Sequence, residues 1–316
     1  MARMPSSLDR RAFCSAVAGL GAAACLPSPA EGASSPASGY IDVHTHLGRV
    51  WNTKQTLTAE ELLRWMDASD VAQAIVLPLV SPESSSYPIS TDYVLEQTRP
   101  YRDRLIPFCS VDPRTSFSGK LKGLVDMLRE YVDAGAKGFG EHKPGVAIGD
   151  PCNMLIYEAC GQAELPILFH LDNLRNMDTP GLPGLEKALK AFPQTTFIGH
   201  GPGWWASISG GLVQADLYAT RRTPVTPGGA IDRLMDAYPN IFGDLSAGSG
   251  ANAISRDPSF GREFLIRRAD RLMFGTDMLS PGQAVPQLEL YRTIDLPADV
   301  QAKIFRDNAR RLLRLV

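Results

Sequence analysis

Cysteine and histidine are both scarce in this 316-residue chain, with five of each. The cysteines exclude a disulfide framework. Cys14 and Cys25 fall in the N-terminal leader, which leaves Cys109, Cys152 and Cys160, an odd number with no base adjacent in sequence. They read as packing residues. An excess of charge is also missing: the formal net charge is −2, which argues against nucleic acid or an anionic membrane as the main partner and for a small molecule instead. No apolar run is long enough for a lasting membrane span. No glycine-rich phosphate loop follows the first strand-like run, so an open doubly wound nucleotide-binding sheet loses its main support. No internal repeat and no break in composition marks a second domain within the body of the chain.

The N-terminus differs from that body. Arg10-Arg11-Ala12-Phe13 precedes AVAGLGAAACLPSPA, a small-residue apolar run too short and too weakly apolar to persist as a span. Paired arginines ahead of such a run resemble a twin-arginine export signal. The expected organisation is a signal over residues 1–30, a disordered Ser/Pro/Ala-rich lead-in over 31–39, and one catalytic domain over 40–316. The mature protein is then periplasmic or secreted. Cys25 offers a site for lipid, but Ala22 stands where lipoprotein signals carry Leu, which argues against an anchor.

From Tyr40 onward, strand-like and helix-like segments alternate. Apolar runs with few internal charges sit at Tyr40–Val43, Gln73–Leu77, Arg104–Val111, Ala136–Gly140, Pro166–Phe169, Thr195–Ile198, Ile241–Leu245 and Arg271–Phe274. That is the pattern of parallel strands buried on both faces. Thr58-Ala59-Glu60-Glu61 is a capping box, and Asp150-Pro151 pairs an N-cap with a first-turn proline. Val300, Ile304, Phe305, Leu312 and Leu313 form one apolar stripe near the C-terminus. Eight such units predict a single-domain α/β protein, a (β/α)8 TIM barrel. The long interval from His200 to about Gly229 is expected to form a lid or substrate wall, with Trp204, Trp205, Arg221 and Arg222 as candidate substrate-binding residues.

All five histidines fall at strand ends. His44 and His46 lie two apart on the first strand, so both project to one face, a natural ligand pair for zinc. Glu141-His142-Lys143 ends the fourth strand, His170 the fifth and His200 the sixth, while Asp277 follows the eighth. In a barrel these ends share one rim, where the active sites of the fold lie. The plain alternative for Asp277 is a helix N-cap before Ser280-Pro281.

HTH at the first strand, FHLD at the fifth, FIGHGPG at the sixth, FGTD at the eighth and the closing FRDNARRLL together resemble the amidohydrolase superfamily. The resemblance is to its amidohydrolase-2 branch, which includes aminocarboxymuconate-semialdehyde decarboxylase-like enzymes, and it runs from Tyr40 to Leu313. It implies that His44, His46, His170 and Asp277 hold a divalent metal, Zn2+ in the first place and Mn2+ in the second, and that His200 is a second ligand site or orients a water. It also makes Asp277 and His200 the catalytic pair: such a metal brings its bound water to a pKa of about 7, and Asp277 can take that proton and pass it on.

On the fourth strand, Glu141 and Lys143 point one way and His142 the other. Glu141 either bridges two metals or pairs with Lys143 beside one; the FHLD and FIGHGPG motifs favour one ion. His142 is expected behind the barrel, satisfied by a backbone carbonyl. Asp244 reads as a group that orders its surroundings, not as a ligand. Three functions follow. The leading one is a hydrolase acting on an amide, ester or lactone. The alternative is a non-oxidative decarboxylase of an unsaturated or aromatic acid, anchored by Arg221 or Arg222. The third is an inactive exported metal-binding protein, against which the full ligand set speaks. A homo-oligomer is compatible with all three.

Overall fold

The computed structural model describes residues 39–50, 53–115, 117 and 120–315. The expected signal over 1–30 lies outside them, as does the lead-in apart from Gly39. Among the described residues every strand-like run becomes a strand: β1 Tyr40–Thr45, β2 Val71–Val76, β3 Leu105–Pro107, β4 Phe139–His142, β5 Ile167–His170, β6 Phe197–His200, β7 Ile241–Asp244 and β8 Leu272–Met273. All neighbouring pairs are parallel, in the orders β1-β2-β3 and β4-β5-β6-β7-β8.

Backbone hydrogen bonds close the two arcs into a barrel. Cys109 N–H reaches Gly138 O at 2.9 Å and Gly140 N–H reaches Cys109 O at 2.8 Å, joining β3 to β4. Val43 N–H to Phe274 O at 3.0 Å and Asp277 N–H to His44 O at 2.9 Å join β8 back to β1. Inside, Ile41, Val43, Ile75, Leu77, Ile106, Phe108, Leu168, Ile198, Phe242 and Met273 fill the lower barrel, and Ala309 and Leu313 from the C-terminal helical segment seal its base. That segment carries a wider turn over Lys303–Asp307, which keeps Ile304 and Phe305 on the buried side with Val300; Leu312 is only partly buried.

Local sequence explains the helices that brace the rim. The Thr58 hydroxyl accepts from Glu61 N–H at 3.2 Å, and the Glu61 carboxylate accepts from Thr58 N–H at 3.0 Å, the reciprocal cap of helix Ala59–Ala68. Asp150 caps helix Pro151–Gln162 through Cys152 N–H at 2.9 Å.

Two strands depart from simple alternation. On β1, Asp42 to Thr45 spans three steps against two on β2, Ala74 to Val76. On β4, Phe139 to His142 spans three steps against two on β5, Ile167 to Phe169. Such one-residue bulges re-aim side chains. Phe139 and His142 consequently pack together on the outside, ring centroids 5.5 Å apart, while Glu141 and Lys143 turn inward.

Candidate metal centre

Close backbone approach sets the positions of the site residues. A side chain on Gly140 would place Cβ 2.4 Å from Leu168 O, and the residue has φ +138°, so the turn that delivers Glu141 admits only glycine. At the end of β8, a Cβ on Gly275 would meet Asp244 Oδ1 at 2.4 Å. Asp277 itself has φ +59°, a left-handed conformation that Asp tolerates better than most residues. Its carboxylate reaches back toward β1, and no helix begins there.

Four donor atoms surround one gap: His44 Nε2, His46 Nε2, Glu141 Oε2 and Asp277 Oδ1. Both imidazoles stand 3.4 to 3.6 Å from Asp277 Oδ1, and 3.9 and 3.6 Å from Glu141 Oε2. The two Nε2 atoms are 3.2 Å apart. His44 Nδ1 faces Asp244 Oδ2 at 2.7 Å and His46 Nδ1 faces Leu77 O at 2.9 Å, both pure acceptors, so the ring protons belong on Nδ1. With that proton on Nδ1, Nε2 of each ring is the atom turned toward the other ring and toward two carboxylates. Such a cluster of acceptors suits a cation at its centre: ligands about 2.1 Å from a tetrahedral ion are about 3.4 Å from one another.

A second set uses the other oxygen of Glu141. His170 Nδ1 is 2.9 Å from Oε1 and His200 Nε2 is 3.7 Å from it. The opposite edge of His170 is held by Asp172 Oδ2 at 2.9 Å, and His200 Nδ1 by Ser246 Oγ at 2.9 Å and Asp244 Oδ2 at 3.1 Å. One carboxylate oxygen of Asp244 thus serves a ring from each set. Lys143 Nζ donates to Glu141 Oε2 at 3.0 Å.

The site is buried, and its charges compensate one another. Burial alone would raise the Glu141 carboxyl, but Lys143 and then His170 and His44 hold it well below the usual range. Asp277 and Asp244 are likewise lowered: burial opposes this, and His44 leads the neighbouring imidazoles that overcome it. Asp42, beneath His44, behaves oppositely. Burial pushes it up to about 7 despite hydrogen bonds from Thr276 and His44 N–H.

The family model described as Amidohydrolase, of the amidohydrolase-2 type, matches residues 41–315. The chain belongs to the amidohydrolase-2 family. Solved structures agree on the fold. An uncharacterized TIM-barrel protein from Bordetella bronchiseptica is 15% identical, with TM-score 0.61 over 88% of this chain and 99% of that one. A zinc-bound amidohydrolase from Burkholderia multivorans is 13% identical, with TM-score 0.58 over 88% and 100%. A dihydroxybenzoic acid decarboxylase from Polaromonas sp. JS666, holding manganese and 2-nitroresorcinol, is 15% identical, with TM-score 0.54 over 88% and 97%. Comparison with curated proteins finds no match. Family membership identifies the chain as a metal-dependent enzyme of the amidohydrolase superfamily.

The expected ligands of this family member converge, though in a different grouping. His44, His46 and Asp277 share the first gap with Glu141, whereas His170 lies with His200 on the far oxygen of Glu141. A cavity of about 210 Å3 opens onto both sets, walled by His46, His170, His200, Asp277, Lys143 and Asp172 and by the apolar Val50, Leu79 and Leu279.

Four expectations require correction. Trp204 and Trp205 are not on that wall: both are at most 1% exposed, packed in the core behind β5 and β6, with Trp205 Nε1–H donating to Asp244 O at 2.9 Å. The interval that carries them is not one open loop but begins with helix Pro202–Ala206. Arg221 and Arg222 do not line the cavity either; Arg221 is ion-paired to Asp216 at 2.8 Å and Arg222 is exposed. His142 lies behind the barrel as expected, but it is satisfied by the Asn153 side chain at 2.8 Å, not by a backbone carbonyl. Asp42, buried beneath His44, was not singled out from the sequence; only its even spacing with His44 and His46 hinted at it.

No helix among the described residues is long and apolar enough to cross a membrane.

Proposed function

We propose that the chain is a hydrolase of a small-molecule amide, ester or lactone, with His44, His46, Glu141 and Asp277 as its principal metal ligands. The observation that carries this reading is the ring of facing acceptors, completed by Asp277, whose carboxylate also fronts the cavity with its side chain 24% exposed. A divalent ion bound there, zinc or manganese, supplies Lewis acidity toward a carbonyl and brings water to a pKa of about 7. The remaining work falls to the chain itself. Asp277, kept anionic by the imidazoles, can take a proton from water and return it to the leaving group. His200, oriented by Ser246 and Asp244, presents Nε2 toward the same space. Val50, Leu79 and Leu279 exclude water from the apolar part of the substrate. The cavity volume suits a compact substrate, below the roughly 300 Å3 at which drug-sized sites begin.

Glu141 favours two ions over the one expected from sequence, because its two oxygens face separate donor sets. Glu141→Gln should lower the stoichiometry from two to one. One ion in the wild type, unchanged in that variant, would leave Glu141 as a partner of Lys143 and His170 with no bridging role.

Non-oxidative decarboxylation is the competing reaction, and Lys143 on the cavity wall is the cation that would hold the departing group. The deciding experiment is elemental analysis joined to a panel of lactones, esters, phosphoesters and aromatic acids, with carbon dioxide followed alongside hydrolysis. Carbon dioxide release without hydrolysis would overturn the hydrolase reading. The leader supports export through the twin-arginine route to the periplasm, which would let the chain fold around its metal first.

A further inference from the structure

A second gap of about 30 Å3 adjoins the catalytic cavity, and Pro202 and Ser249 belong to the walls of both. Thr220, Asn252 and Arg256 complete the polar part of its lining. Ser249, Asn252 and Arg256 follow at spacings of three and four along helix Ala247–Ser255 and its C-terminal cap, so they share one face. Arg256 Nε and Nη2 are buried and have no hydrogen-bond partner among the described residues. Those two nitrogens lie on the same edge of the guanidinium, where their N–H bonds run parallel and match the two oxygens of a carboxylate. Arg221 stands nearby; Asp216 takes its Nη1, but its Nε is also buried without a partner. Burial first, and then the charge of Arg221, displace Arg256 below its ordinary value, against the weaker pull of Asp257. A half-buried cation whose inner edge is sealed from water and unpartnered beside a like charge is a costly arrangement unless an anion completes it.

We propose that Arg256 is a substrate-recognition residue whose open fork takes a carboxylate remote from the reacting carbonyl, reached through the boundary at Pro202 and Ser249. The inference rests on the hydrolase reading for its reaction and narrows the substrate to carbonyl compounds with a second, anionic end. A carboxylate suits this gap better than a phosphate. The volume accommodates about two water-sized groups, matching two planar oxygens but not a tetrahedral anion with its substituent.

Calorimetric titration of acetate into the metal-loaded full chain tests the subsite directly. The wild type should show a binding event that Arg256→Gln removes and Arg256→Lys weakens at least tenfold, since lysine offers a point charge and no fork. Any event at the metal is common to all three proteins, and melting temperatures no lower than that of the wild type confirm that the variants fold. Identical isotherms for wild type and Arg256→Gln would overturn the proposal. Paired esters with and without a terminal carboxylate supply the second arm. Arg256→Gln should raise KM for the acid at least tenfold, leave kcat within about twofold, and leave the neutral ester unaffected. Hydrolysis with no preference for the acid would sink the subsite and spare the hydrolase reading. Loss of the acetate event in Arg256→Gln without any hydrolysis would do the reverse.

Discussion

Asp244→Asn is the substitution that most directly tests how this centre is held. Asp244 Oδ2 receives His44 Nδ1–H at 2.7 Å, His200 Nδ1–H at 3.1 Å and the Ser246 hydroxyl at 2.7 Å, while Oδ1 receives Ser246 N–H at 2.9 Å. Every partner is a donor, so an amide cannot satisfy them in either orientation. The better orientation turns the oxygen toward the imidazoles and sets NH2 against Ser246 N–H, one opposed donor pair worth about 1–3 kcal/mol. The imidazoles also lose a charged acceptor that fixes their tautomers, and such losses typically weaken metal binding about 10- to 100-fold. Because one oxygen serves a ring from each donor set, metal affinity should fall at both sets together. Competition with a chromophoric chelator measures this without reference to turnover. Ser246→Ala, which removes a hydroxyl but no charge, should cost less than tenfold. Affinity within twofold of wild type in Asp244→Asn, or loss confined to one ion, would refute the account.

Asp277→Asn should lower kcat by about 10²–10⁴-fold with a much smaller change in KM, since the amide keeps the shape but cannot accept a proton; an unchanged kcat removes Asp277 from proton transfer. Chelation should lower the melting temperature, by about 4 kcal/mol of lost binding for an ion present at 1,000 times its Kd, and an unmoved transition would show that no ion stabilises the fold. Arg114 binds Asp112 and Glu83 together. Burial would raise Asp112, but Arg114 and Ser81 bring it to about 2, so this stabilisation is complete above the unfolded value near 4 and is lost as pH falls through about 2; Arg114→Gln should flatten that acid limb in pH-dependent denaturant melts. Replacing Arg10 and Arg11 together by Lys should hold the folded chain in the cytoplasm, and normal export of that variant would make the leader an ordinary secretory signal.

The barrel was legible because each strand is a short apolar run buried on both faces, and period and length alone mark such runs. Both capping motifs were equally visible, being local. The bulges on β1 and β4 were not, since a bulge is a mismatch between two strands and no single strand encodes it. That omission has a consequence for Glu141. A flat strand predicts correctly that Glu141 and Lys143 share a face, but it does not reveal that the carboxylate reaches between two donor sets and separates His170 from His44 and His46.

The remaining misreadings share one physical origin. Trp204 and Trp205 follow His200 directly, and adjacency in sequence suggested adjacency in the cavity. The helix that starts at Pro202 instead turns both rings away from the metal cavity into the core, where Trp204 packs across Phe169 with centroids 6.0 Å apart and Trp205 borders only the smaller gap beside Arg256. Arg221 was singled out for its charge, yet a charge already answered by Asp216 has less to offer a ligand than one left open. Arg256 drew no notice in a polar stretch between two helices, because sequence records that an arginine is present and not whether its fork is filled. Only the packing of helix Ala247–Ser255 against the segment carrying Thr220 shows two donors buried on one edge with nothing to meet them. In this chain the candidate metal donors are recognisable by residue type and spacing, whereas the proposed recognition site is recognisable only by what the fold leaves unpaired.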